Sequence, residues 1–242
     1  MLELAECVGF IDTIRKSMTG PAPEYDPELQ RLVFHRDNRA CRHCGVTFTE
    51  STLHLFCHHA DYNIKNSTLK NLVSECYMCH SIQNLGIVTM QHEGHMHFVY
   101  IPEISQEELN AVSWGIAHKI LAQENSHALQ QELQIVNTIL DKGCAFPKGY
   151  LSEPAKFCGS THEELLFSIQ HNIKLLQIIL LQMRKVGNPL FENRAKWLSG
   201  ARIFFDPRDA AELFGGIAAD IDENCYQSML QPAMEKARKL FA

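Results

Sequence analysis

Cys41-Arg-His-Cys44-Gly45 and Cys76-Tyr-Met-Cys79-His80 decide how this chain is read. Two residues between cysteines let both thiolates of a pair reach one metal without strain. A glycine directly after Cys44 lets the chain turn tightly, so that backbone amides can point at the sulfur. Two such pairs supply four thiolates, a closed tetrahedral set suited to one structural zinc ion per chain. The competing reading, four reduced cysteines buried as small apolar groups, needs two C-x-x-C pairs to arise by chance. The 31 residues between the pairs exceed what a simple zinc ribbon needs, so something is built between them. Cys7, Cys57, Cys144, Cys158 and Cys225 have no comparable spacing and read as core or surface thiols.

Composition agrees with a zinc protein of a reducing compartment. Of 242 residues, 45% are apolar and 21% charged, as in soluble globular proteins. The most apolar stretch, Leu175 to Met183, is interrupted by Gln177 and Gln182, and falls short of the roughly 20 residues a membrane span needs. Glu3 and Glu6 stand where an export signal would carry positive charge. Without export, paired cysteines read as metal ligands before disulfides. The net charge of −6 argues against a dedicated nucleic-acid binder, which needs a positive surface.

Working outward, cap patterns mark the helices. Asp26-Pro27-Glu28 predicts a helix carrying Leu29, Leu32, Val33 and Arg36 up to the first cysteine pair. Ser105 with Glu108 forms a capping box for a helix with Leu109, Val112, Ile116 and Ile120 on one face. Phe98 to Ile101 reads as a strand stopped by Pro102. A further helix is expected from Ser126 to Lys142, then a connector from Cys144 to Gly159. Thr161 with Glu164 opens one long core helix to about Val186, with enough apolar residues to touch a partner as well. From Asp206 to Ala242 the chain reads as helical, broken at Gly215-Gly216 and Pro232. The expected class is α+β, mostly helical: an N-terminal helical segment (1–26), a zinc module (27–102) and a helical region (103–242).

Between the cysteine pairs lie Cys57-His58-His59, then Asn66 to Lys70, then Asn71-Leu72-Val73, with His80 after the second pair. This order resembles the His-Asn-His (HNH) nucleases, whose ββα-metal module is the fold the resemblance implies here. It also implies a chemistry: His59 as general base, Asn71 as its orienter, His58 and His80 as ligands of a second divalent ion, and Asp61 assisting. The histidine pair lacks the acidic residue and following proline of active members. Residues 27–80 hold six Lys or Arg against five Asp or Glu, thin for gripping a polyanion.

Three strings together carry a narrower resemblance. They are Arg36-Asp37-Asn-Arg-Ala-Cys41-Arg-His-Cys44-Gly45, Leu69-Lys-Asn71-Leu-Val-Ser-Glu-Cys76-Tyr-Met-Cys79, and Val99-Tyr-Ile-Pro102-Glu-Ile-Ser-Gln-Glu-Glu-Leu109-Asn110. In this order they resemble the IcmJ (DotN) family of type IVB (Dot/Icm) secretion and related conjugation systems, over about residues 30–122. A fainter echo, Arg194-Ala-Lys-Trp197, lies near the end. The resemblance implies an HNH-like domain with structural zinc and mostly lost nuclease residues. It further implies a cytoplasmic coupling complex at the inner membrane, in which the protein grips an extended C-terminal tail of the coupling-protein ATPase beside other subunits. Three functions therefore stand: a non-catalytic adapter, an HNH endonuclease acting on DNA, and a zinc-stabilised binding module of another assembly.

Overall fold

A computed structural model describes residues 26–49, 54–63, 65–83, 95–122, 127–213 and 215–241. The helical segment expected over 1–26 lies outside the described residues apart from Asp26. The described chain is mostly helical, with two small antiparallel sheets.

Helix α1 (Pro27–Arg36) starts as its cap requires, with Asp26 Oδ1 accepting from the Glu28 amide at 3.0 Å. It buries Val33 and Phe34 against a hairpin of β1 (Leu55–His59) and β2 (Leu72–Cys76). Arg36 and Asp37 fasten helix to hairpin. The Arg36 guanidinium pairs with Asp37 at 2.7 Å and donates to the Leu72 carbonyl at 2.8 Å. Asp37 Oδ2 accepts from the Ser74 amide and hydroxyl. Burial opposes ionisation of Asp37, yet these bonds hold its carboxyl below the usual range. The conspicuous Arg-Asp of the first string is thus a structural fastener.

Helix α2 (Tyr77–Gln83) follows β2 directly. Strand β3 (Met96–Tyr100) lies where the sequence suggests one, and leads to α3 (Gln106–Leu121) with its Ser105–Glu108 capping box formed in both directions. Helix α3 is buried on all sides from Leu109 to Ala117 and is the centre of the fold. The capping stretch predicts only its position; its central place comes from packing.

Helix α4 (His127–Gly143) is followed by a stretch that is more than a connector. A left-handed turn at Gly149 and Leu151 starts a short helix, α5 (Ser152–Cys158). The single long helix expected after Thr161 is instead two, α6 (His162–His171) and α7 (Lys174–Lys185). The reason is local: Asn172 is extended, and its side-chain oxygen accepts from the Lys174 amide at 3.1 Å, capping the second helix. Each half buries one stripe, and Phe167, Ile178 and Val186 are left exposed.

After α8 (Pro189–Glu192) and α9 (Arg194–Trp197) comes β4 (Ala201–Phe205), a strand the sequence reading did not include. It pairs antiparallel with β3, Met96 opposite Phe205 and Tyr100 opposite Ala201. Gly200, at φ +79° with the Tyr100 ring beside it, turns the chain into this strand. Helices α10 (Pro207–Leu213) and α11 (Gly215–Ala219) follow. A π-helical turn, Tyr226–Leu230, then leads into α12 (Gln231–Phe241), whose second residue is Pro232. The widened turn precedes the proline, which has no amide to give the helix ladder.

Candidate metal centre

The four cysteines converge from two local loops. Cys41 and Cys44 sit in the turn after α1, where Gly45 at φ +75° closes the loop and donates its amide to the Cys41 carbonyl at 2.9 Å. Cys76 ends β2 and Cys79 lies in the first turn of α2. All four are buried, and their sulfurs lie within 4.8 Å of one another, with Cys44 and Cys76 at 3.5 Å. A tetrahedral zinc with bonds near 2.3 Å sets sulfurs about 3.8 Å apart. The cluster can therefore hold a metal ion and is compatible with zinc.

Electrostatics point the same way. Burial opposes ionisation of Cys41, but bonds from the thiols of Cys44, Cys76 and Cys79 draw it well below the ordinary thiol range. Sharing with Cys41 pushes Cys44 up, and burial pushes Cys79 up. A cation among the four sulfurs would compensate the negative charge that burial disfavours. Helix α3 supplies two N–H donors to these sulfurs: Trp114 Nε1 to Cys76 at 3.4 Å, and Asn110 Nδ2 to Cys79 at 3.3 Å. Neither residue was legible as part of the site, because each lies more than thirty positions from the sulfur it touches. Cys57 stays apart, its thiol pushed up to about 12 by burial first and by the Asp37 charge second.

The histidines between the cysteine pairs do not act as a pair. Successive residues of a strand face opposite ways. His58 therefore shares a face with Glu75, which lies diagonally across the hairpin, while His59 faces the other side. On the first face His58, Glu75 and the α2 residue His80 bring their donor atoms within 4.8 Å of one another. Among the described residues, His58 Nε2 and Glu75 Oε2 are buried without a hydrogen-bond partner. Glu75 Oε1 lies 2.9 Å from His43 Nε2 and also accepts from Gln83, which ties this cluster to the first cysteine loop. Burial pushes His58 down to about 3 and His80 to about 4, leaving both imidazoles neutral, as a metal requires. The three residues form a second group able to hold a cation. Glu75 is the member the sequence did not disclose, since its spacing to the histidines matters only once the hairpin register is known.

On the opposite face, His59 is buried with Nε2 3.0 Å from the Ser67 hydroxyl. The Asn71 side chain bonds Asp61 and the Asn66 carbonyl at 2.8 Å each, and accepts from the Asp61 amide. Asn71 and Asp61 thus brace the hairpin loop.

The burial of His58 has a measurable consequence. Unfolded, its imidazole protonates near pH 6.5; folded, only near pH 3. Between these values the unfolded chain binds more protons, so stability falls as pH falls, by about 1.4 kcal/mol per pH unit for this one group. Urea unfolding from pH 7 to 5, with no added divalent ion, is expected to show that extra slope in wild type relative to His58→Gln. Parallel curves would count against it.

No family model matches the chain. In an alignment 161 positions long, which covers 61% of this chain and 71% of the relative, the chain is 27% identical to the type 4 apparatus protein DotN of Legionella pneumophila subsp. pneumophila (strain Philadelphia 1). The chain is related to DotN. The resemblance read from the three sequence strings is thereby borne out. Two of those strings contribute the cysteines that the fold gathers, and the third contributes the cap of α3, from which Asn110 and Trp114 reach the sulfurs. Among the described residues no helix is long and apolar enough to cross a membrane.

Proposed function

We propose that this chain is a non-catalytic adapter of a type IVB secretion or related conjugation coupling complex, in which it binds an extended tail of the coupling-protein ATPase. The observation that carries this reading is the relationship to DotN. In it, the four cysteines hold one structural zinc, and the hairpin with α2 serves as an HNH-like ββα-metal module that supports the fold without cutting DNA. The place of action is the cytoplasmic side of the inner membrane, reached through the complex.

Two features favour a peptide partner over a small molecule or nucleic acid. Phe167, Ile178 and Val186 stand exposed on and beside α6 and α7, and can serve as aliphatic and aromatic anchor points. Residues 81–150 hold three Lys and seven Asp or Glu, a balance of −4 that suits a basic tail and repels phosphate. An extended segment laid between helices buries on the order of 1,200–2,000 Å² in total.

The test is calorimetry with the purified tail peptide at low and moderate salt, beside co-purification from cells expressing both proteins. Binding is expected, weaker at the higher salt, and reduced at least tenfold in a Phe167→Ser/Ile178→Ser variant. No heat and no co-purification would overturn the adapter. Nicking of supercoiled plasmid with magnesium, manganese or nickel, lost in His59→Ala, would replace it with the endonuclease.

A further inference from the structure

The start of β3 and the start of α10 bring together a group of side chains remote in sequence from both clusters above. His97 lies on β3, Asp206 directly follows β4, and Asp209 is in the first turn of α10. The β3–β4 register sets them side by side, since Met96 pairs with Phe205 and His97 with Phe204. One nitrogen of His97 and one oxygen of each carboxylate lie within 4.8 Å of one another. His95, two residues before His97 and so on the same side of the strand, places Nδ1 3.3 Å from Asp209 Oδ2.

We propose that His97, Asp206 and Asp209 form a binding site for a first-row divalent cation of the zinc, cobalt or nickel type, with His95 positioning Asp209. Each part has a physical reason. Asp206 is buried and rigid: its Oδ1 accepts from the Arg208 amide at 2.9 Å, and the Arg208 guanidinium donates to both its oxygens. A carboxylate offers about four lone-pair sites, and the amide and guanidinium of Arg208 reach both oxygens, so a metal takes its Asp206 oxygen in exchange for one of these contacts. Arg208 also leaves the two carboxylates with only one uncompensated negative charge. That disfavours calcium, which wants six to eight oxygens, and favours ions that accept imidazole. The site opens to solvent at His95 and Asp209, whose side chains are 38% and 36% exposed, which gives an ion an entry path. Ligating carboxylates are commonly steadied by polar neighbours, and the His95 ring beside Asp209 is placed to do this.

The experiment uses the full-length, untagged protein with its cysteine site already filled with zinc. Cobalt(II) is added and followed by calorimetry and by visible absorption. Occupancy of this site gives the weak d–d bands of nitrogen and oxygen ligation, without the near-ultraviolet sulfur charge-transfer band that exchange at the cysteines produces. Wild type is expected to take up an equivalent with that spectrum. Asp209→Asn, a surface change that leaves Asp206 and the helix cap in place, and His97→Gln should each weaken this uptake at least tenfold. His95→Gln should weaken it about 10- to 100-fold, the range for a residue that orients a ligand. His80→Gln, which disables the cluster beside the cysteines, should retain it. Equal uptake by wild type, His97→Gln and Asp209→Asn would overturn the proposal, as would no uptake by wild type beyond exchange at the cysteines. Loss of the equivalent in His80→Gln alone would assign the ion to the other cluster and likewise overturn it.

Discussion

Replacing Cys76 by serine is expected to release zinc from the protein and to destabilise the surrounding fold by several kcal/mol. The four sulfurs lie within 4.8 Å of one another and are wholly enclosed by protein. Loss of one thiolate leaves three ligands and an unfilled position, and also leaves the Trp114 indole N–H without its sulfur acceptor. Structural zinc sites of this kind contribute about 10–16 kcal/mol of apparent metal affinity near neutral pH, much of which is folding energy. The cost does not stay local, because α1, the hairpin, α2 and α3 all meet around the cluster. The measurement is zinc per chain by elemental analysis, with urea unfolding before and after a chelator. Wild type should hold zinc at the cysteines and lose stability on chelation. Cys41→Ser and Cys76→Ser should start near the chelated state, while Cys57→Ser, outside the cluster, should keep its zinc. Full zinc occupancy in both ligand variants would remove the basis of the metal centre.

Trp114→Ala is expected to cost about 3–5 kcal/mol, the range for deleting a large buried aromatic side chain. Trp114 is completely buried, and its ring meets Phe48 edge-on with centroids 6.0 Å apart. The indole has a second task that a phenyl ring cannot perform, since its N–H donates to Cys76 at 3.4 Å. Trp114→Phe keeps most of the packing and removes that donor. It is expected to cost less than the alanine change, with about 1 kcal/mol for the lost hydrogen bond and a further part for the smaller ring. It should also speed the release of zinc to a chelator, because the donor steadies the negative charge of a bound thiolate. Chelator-driven release rates and denaturant midpoints of the two variants separate packing from charge stabilisation. Release from Trp114→Phe at the wild-type rate would show that the indole acts by packing alone.

What the sequence determined by itself is everything set within a few residues. Two C-x-x-C loops present paired sulfurs because three positions of a tight turn or first helical turn bring them to one side. The helix starts at Asp26, Ser105 and Thr161 were legible because each capping side chain bonds an amide only two or three residues on. Tertiary structure decided the rest. The register of β1 on β2 separates His58 from His59 and adds Glu75 to His58 and His80. Strand β4 exists as a strand because β3, about a hundred residues earlier, supplies its hydrogen bonds. Asn172 stops a helix that its neighbours would continue, by capping the next one with its side chain. Most of all, the donors that complete the cysteine cluster, Asn110 and Trp114, come from a helix whose sequence reads only as apolar. A helix's pattern specifies that one of its faces will be buried; what that face meets is fixed by the packing of the whole chain.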